Sequence, residues 1–276
     1  MMVKDLDWSR LQTYLPPRAV ESNKRDYGHA LLIGGNAGMA GAIMLASLGA
    51  ARAGAGLTSV ATHPQHAAFI NVQQPEIMVH AIAQQRDLTA LLLKATVLGI
   101  GPGLGQDRWA RKCFQQVLRS DLPLIIDADG LNLLAKNSTH RDSPAQRNWI
   151  LTPHPGEAAR LLDRSIADVQ ADRVTAIKTL QHRYGGTIVL KGHHTLIATP
   201  QDIYLCKAGN PGMASGGMGD LLTGIITGLV AQQLPLDIAA QIGVYIHATA
   251  GDKAAIEGMR GMLATDLLPF VRTLLN

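Results

Sequence analysis

Six short runs of aliphatic and β-branched residues, at 30–34, 57–62, 95–100, 124–127, 149–152 and 187–190, are almost wholly apolar. A strand of that composition has no side it can show to water, so it must be covered on both faces, as the inner strands of a parallel sheet are. Between the runs, segments 39–53, 108–119, 155–162 and 167–184 repeat apolar residues at helical spacing, and 218–233, 237–257 and 264–275 do so in the last third. This alternation predicts an α/β protein of three layers, α/β/α, around a mostly parallel central sheet. The runs 195–198 and 203–207 flank Pro200 and read as a hairpin, an antiparallel edge to that sheet.

Residues 1–26 precede the alternation and read as an N-terminal extension, with 27–276 as one domain. The polar stretch 137–148 reads as a surface loop between two strands. Aromatic residues make up only 4% of the chain, too few to stack single-stranded bases, so a net charge of +4 points to an anionic small molecule and away from nucleic acid. There is no apolar run long enough for a membrane span, and Asp5, Asp7 and Trp8 stand where a signal peptide would be apolar. Cys113 and Cys206 lie far apart without metal-ligand spacing, which fits a reducing cytoplasm. The apolar last third, with Gly224, Gly228, Gly243 and Gly251 permitting close packing, suits either a homo-oligomer or buried core helices.

The strongest chemical signal is Gly209-Asn-Pro-Gly-Met-Ala-Ser-Gly-Gly-Met-Gly-Asp220, which runs straight into a helical pattern. Free amides at a helix start, with the positive end of its dipole, attract an anion, and Gly216, Gly217 and Gly219 let phosphate oxygens approach without a Cβ in the way. No Gly-Lys-Ser/Thr follows, so the segment is not a Walker A loop. A carboxylate beside a phosphate cradle repels the ligand, so Asp220 is a candidate general base that takes a proton from a hydroxyl, or else a metal ligand or a helix cap. The earlier Gly34-Gly-Asn-Ala-Gly-Met-Ala-Gly-Ala42 also follows a strand and opens a helix, but no acidic residue ends the second strand to bind a ribose in the usual dinucleotide manner.

Three more turns end strands: Gly99-Ile-Gly-Pro-Gly-Leu-Gly105, Asp127-Ala-Asp-Gly130 and Thr152-Pro-His-Pro-Gly-Glu157. The carboxyl ends of parallel strands line the ligand crevice, so these turns should converge there. Asp127 and Asp129 suit either a cation or a helix cap. His154, fixed between two prolines, suits ligand contact, and Glu157 suits either the helix dipole or a metal-bound water. Lys191 ends a buried strand where it can reach a phosphate or simply sit in solvent. His193 and His194 should point in opposite directions on extended chain and so not share a metal.

Taken in order, GGNAGMAGA, GIGPGLG, IDADGLN, LTPHPGE, VLKGHHTLI and GNPGMASGGMGDLLTGI resemble the NAD(P)H-hydrate dehydratases of the ribokinase-like superfamily, from about Tyr27 to Leu268. Kinases of that superfamily usually carry Asn-Pro-x-Glu where this chain has His154-Pro-Gly-Glu157, a departure that favours the dehydratase branch. The resemblance implies a ribokinase-like fold and dehydration of the S form of hydrated NADH or NADPH. ADP or ATP would drive the reaction, with Mg²⁺, by phosphorylating the ring hydroxyl and then losing phosphate. It places the nucleotide at Lys191, Gly192, His193, His194 and Thr195, and at Gly216, Gly217 and Gly219. The substrate falls at Ala42, Gly105, His154 and Asp220, with Asp220 catalytic and Glu157 and Asp127 the candidate metal ligands. A homotetramer without the epimerase to which such domains are often fused is implied as well. Two other readings share these motifs: a vitamin-precursor kinase releasing a stable phosphate ester, and a nucleotide-sensing module without catalysis.

Overall fold

The computed structural model describes residues 1–136 and 147–276. Its strands are β1 (Val3–Asp5), β2 (His29–Ile33), β3 (Leu57–Thr62), β4 (Met78–Ala81), β5 (Val97–Ile100), β6 (Leu124–Ile126), β7 (Trp149–Leu151), β8 (Thr187–Leu190), β9 (Thr195–Ala198) and β10 (Ile203–Cys206). Among the described residues they form one sheet in the order β1-β10-β9-β8-β7-β6-β5-β2-β3-β4. From β8 to β4 every pairing is parallel, and β9 runs antiparallel to both β8 and β10.

The helices are α1 (Trp8–Leu11), α2 (Ala40–Arg52), α3 (Ala67–Gln73), α4 (Gln85–Leu92), α5 (Arg108–Val117), α6 (Ala128–Ala135), α7 (Pro155–Leu162), α8 (Ile166–Ala171), α9 (Arg173–Tyr184), α10 (Met218–Ala231), α11 (Leu236–Ala254) and α12 (Leu268–Leu274). Alternate strand residues enter two separate cores. Leu32, Val97, Ile125 and Val189 pack with residues of α2, α10 and α11, while Leu31, Leu98, Ile126 and Ile188 pack with those of α5, α7 and α9. This two-sided covering is why the strand runs are apolar throughout.

The hairpin β9–β10 does not end the sheet as expected, because β1 pairs in parallel with β10, and β4 forms the opposite edge. Both unexpected strands are short, and β1 is exposed at all three residues, so neither leaves an apolar run to read. Residues of the N-terminal segment pack on the rest of the chain: Leu11 is fully buried, Trp8 stacks on Tyr245 at 4.7 Å, and Arg10 Nη2 donates to Gln241 Oε1 at 2.5 Å. The single helix expected over 167–184 breaks at Asp172, whose side chain accepts from the Thr175 amide at 2.9 Å and caps α9. The turn expected at 127–130 is the start of α6. Of the surface loop expected at 137–148, residues 137–146 lie outside those described.

Helix α10 presses against α2. A Cβ on Gly224 would stand 1.9 Å from the Ala46 oxygen, and one on Gly228 2.4 Å from that of Ala50. Gly243 and Gly251 are likewise in close contact with Ile226 and Met213. These glycines therefore serve packing inside the chain, so they lend no support to oligomerisation. Among the described residues no helix is long and apolar enough to cross a membrane.

Candidate active site

Strands β2, β3 and β4 extend the sheet one way and β5 to β8 the other, so the order reverses between β2 and β5. A crevice opens at the carboxyl ends of strands on either side of such a reversal. Here the two flanking loops are tied together by Asn36, whose backbone amide donates to the Gly103 oxygen at 2.7 Å and whose Nδ2 donates to that of Leu104 at 3.1 Å. Asp129 then accepts from the Gly105 amide at 2.9 Å and from the Gln106 and Asn132 side chains at 3.1 Å. A Cβ on Gly103 would lie 3.1 Å from that of Ala42, and one on Gly105 2.8 Å from Asn36 Nδ2, so the turn that ends at Gly105 packs along the segment from Asn36 to Ala42. Asn36 went unread although it stands in the first glycine motif.

Beside this surface lies a compact group of charges. Lys191 Nζ is 2.6 Å from Asp127 Oδ1 and 3.9 Å from Glu157 Oε2, while Thr223 donates to Asp127 Oδ2 at 2.7 Å. Asp127 is 1% exposed and the Lys191 side chain 17%, so this is no solvated turn lysine. Burial opposes the Lys191 charge, but Asp127 and Glu157 outweigh it and hold the ammonium above its ordinary value. Asp220 feels the same group. Burial pushes its carboxyl up to about 6, with Asp127 adding to the rise and Lys191 opposing it. Burial likewise pushes Glu157 up to about 7, against the pull of Lys191.

His154 caps α7. Its Nδ1 accepts from the Gly156 amide at 2.9 Å, its own amide donates to Glu157 Oε2 at 2.8 Å, and its Nε2 is 3.3 Å from Glu157 Oε1. Burial, then Lys191 and Arg160, hold its pKa below the ordinary value, so the ring is neutral and half-exposed at the rim of the site. Asp127 makes no side-chain cap on α6, because both its oxygens face Lys191 and Thr223. Asp127 and Glu157, the two candidate metal ligands, lie in this same group of charges. Their oxygens are taken up by Lys191, Thr223 and the His154 amide, and among the described residues no three His, Cys, Asp or Glu side chains are grouped to hold a metal ion.

A cavity of about 720 Å³ adjoins the charges, a volume suited to a nucleotide. Lys191, Gly192, His193, His194 and Thr195 line one side, and Gly219 with the loop from Ala208 to Ser215 lines the other. Asp252 on α11 holds that loop in place, accepting from the Gly209 amide and from Asn210 Nδ2, each at 2.9 Å. Gly217 precedes α10 with φ +90°, and the amides at the helix start face no intrahelical acceptor. A Cβ at Gly216 would meet open space, and one at Gly219 would lie 3.2 Å from Lys191 Nζ. At Gly217 it would meet Leu45 at 2.4 Å, so a side chain there would press on α2 and stay out of the phosphate space. His193 and His194 do not splay apart. A positive φ of 55° at His194 turns the chain, and the two rings stack at 3.8 Å on the cavity wall. His247, a lone histidine in the apolar run of α11, also lines the cavity and was not singled out from the sequence.

A family model described as NAD(P)H-hydrate dehydratase matches residues 30–272. A bifunctional NAD(P)H-hydrate repair enzyme of Coxiella burnetii is 54% identical over 98% of this chain and 55% of that protein, so the chain spans about half the length of this relative. An ADP-dependent (S)-NAD(P)H-hydrate dehydratase of Neisseria meningitidis is 38% identical over 94% of this chain and 88% of that one. The crystal structure of an ADP/ATP-dependent NAD(P)H-hydrate dehydratase from Bacillus subtilis, co-crystallized with ATP/Mg²⁺, is 31% identical and covers 100% of both chains with a TM-score of 0.86.

Proposed function

The chain belongs to the NAD(P)H-hydrate dehydratase family, and we propose on that footing that it repairs the S form of hydrated NADH or NADPH at the expense of ADP or ATP. The observation that carries this reading is the setting of Asp220 in the first turn of α10, next in the chain to Gly219, which lines a nucleotide-sized cavity, and within electrostatic reach of Asp127 and Lys191.

The hydrate bears a hydroxyl on the ring carbon next to nitrogen, and hydroxide is a poor leaving group at neutral pH. With its carboxyl raised to about 6, Asp220 is ionised at pH 7 yet basic enough to accept the hydroxyl proton as the oxygen attacks the terminal phosphorus. The amides around Gly216 to Gly219 receive the negative charge on the transferring group, and Lys191 offsets the repulsion between that charge and Asp220. A new P–O bond forms as the bridging P–O bond of ADP or ATP breaks, releasing AMP or ADP. The ring nitrogen lone pair then expels phosphate, and loss of a ring proton restores the dihydronicotinamide. The substrate ring lies against Ala42, Gly105 and His154, and the nucleotide against Lys191 to Thr195. Mg²⁺ accompanying the nucleotide would neutralise part of its phosphate charge, a role that would need few protein ligands.

The test is recovery of dihydronicotinamide absorbance from hydrated NADH with Mg²⁺ and either ADP or ATP. No recovery with either nucleotide overturns the reading. With it we propose a cytoplasmic location, where the buried Cys113 and Cys206 stay reduced, and a homo-oligomer, which light scattering would test.

A further inference from the structure

The loop that precedes α10 brings Asn210 and Ser215 to the cavity, and the segment that follows β8 brings Lys191, His193, His194 and Thr195. The floor between α10 and α11 is different. Leu222, Val244 and Ala248 make it apolar, and His247 is its polar side chain. His247 is only 8% exposed, and its ring Nε2 is buried with no hydrogen-bond partner. Burial drives its pKa down to about 4, a backbone hydrogen bond with Met218 opposing the fall and Lys191 adding to it, so the imidazole is neutral at any pH at which the enzyme would work. A buried polar atom without a partner carries a desolvation penalty that the folded chain alone does not recover. Such an atom is tolerated where a ligand completes it.

Resting on the nucleotide reading above, we propose that His247 recognises the nucleoside half of the bound ADP or ATP, its ring hydrogen-bonding a ribose hydroxyl or the edge of the base. Phosphates belong at the amides of the α10 start and at Lys191, where positive charge is available. A neutral ring set in an apolar floor matches the uncharged part of the ligand. His247 touches neither the hydroxyl being phosphorylated nor the phosphorus, so it sets which nucleotide is used and leaves the chemical step alone.

The experiment is calorimetric titration of wild type, His247→Leu and His247→Gln with ADP, 2′-deoxy-ADP, inosine diphosphate and inorganic tripolyphosphate, together with the Tm of each unliganded protein. For His247→Leu the expected result is ADP binding weakened several-fold to about tenfold, the range of one neutral hydrogen bond, with tripolyphosphate binding unchanged and a Tm equal to or above wild type. His247→Gln should recover part of the affinity. If His247 meets the ribose, the variant and wild type converge on 2′-deoxy-ADP; if it meets the base, they converge on inosine diphosphate. Equal ADP affinity in all three proteins overturns the proposal, as does an equal loss for ADP and tripolyphosphate, which would mean that the ring only steadies the start of α10. Should His247→Leu fail to fold, the affinity and nucleotide selectivity of His247→Gln decide. No ADP binding by wild type would instead overturn the nucleotide reading itself.

Discussion

Lys191 and Asp127 form an ion pair whose anionic member is shut away from water, with Nζ 2.6 Å from Oδ1 and the carboxylate 1% exposed. Removing one member leaves the other as a buried, uncompensated charge. Lys191→Met should therefore cost about 3 to 5 kcal/mol of stability in chemical denaturation. The double variant Lys191→Met with Asp127→Asn should recover most of that loss and still bind ADP poorly. A double variant no more stable than the single one would show that the pair is not what stabilises this corner.

Asp220→Asn should lower turnover by about 10² to 10⁴ with ADP affinity nearly intact, the loss attributed to a positioned base. In wild type, activity should fall away as pH drops below about 6, where the Asp220 carboxyl takes up its proton. Wild-type turnover in the variant would remove Asp220 from the chemistry.

The same carboxyl makes a separate prediction for stability. Its folded pKa is raised from 3.8 to about 6, so the folded state holds the proton more tightly than the unfolded state does. The stability this confers is complete below pH 4 and is lost as pH rises through 6. Asp220→Asn should accordingly raise Tm at pH 8 and leave it nearly unchanged at pH 4. A matched rise at both values would point to packing and not ionisation.

Neighbouring glycines should fail in different ways. Gly217→Val meets Leu45 and forces a branched side chain to φ +90°, so its main effect should be a lower Tm. Gly219→Val intrudes on Lys191 and should weaken ADP binding, measured by calorimetry. Gly224→Val, aimed at the Ala46 oxygen, should cost about 3 kcal/mol or more, because two helix backbones must separate.

The layered fold was legible because Leu31 and Leu32 face opposite helical layers, which makes strands apolar from end to end. β1 and β4 were not, since an edge strand of three or four partly exposed residues leaves no such trace. Asp220 and the glycine turns stand out because they sit where a helix begins, and Lys191 because it follows a buried strand. What those groups do to one another depends on distances across the sheet, which adjacency in the chain does not encode. The Lys191–Asp127 pair spans 64 positions, so the sequence alone leaves the partner of Asp127 open. His193 and His194 were misjudged for a local reason: the positive φ at His194 had no glycine or asparagine to announce it.

Trp8 and Arg10 grip α11 at Tyr245 and Gln241, while His247 and Asp252, further along the same helix, meet the cavity and its loop. The smallest piece of this protein able to fold and bind is therefore larger than its motifs suggest. A gene trimmed to begin at the first glycine motif would lose an outer strand of the sheet together with the brace behind the binding helix, and every residue of the reaction centre would survive in a protein that no longer held them in register.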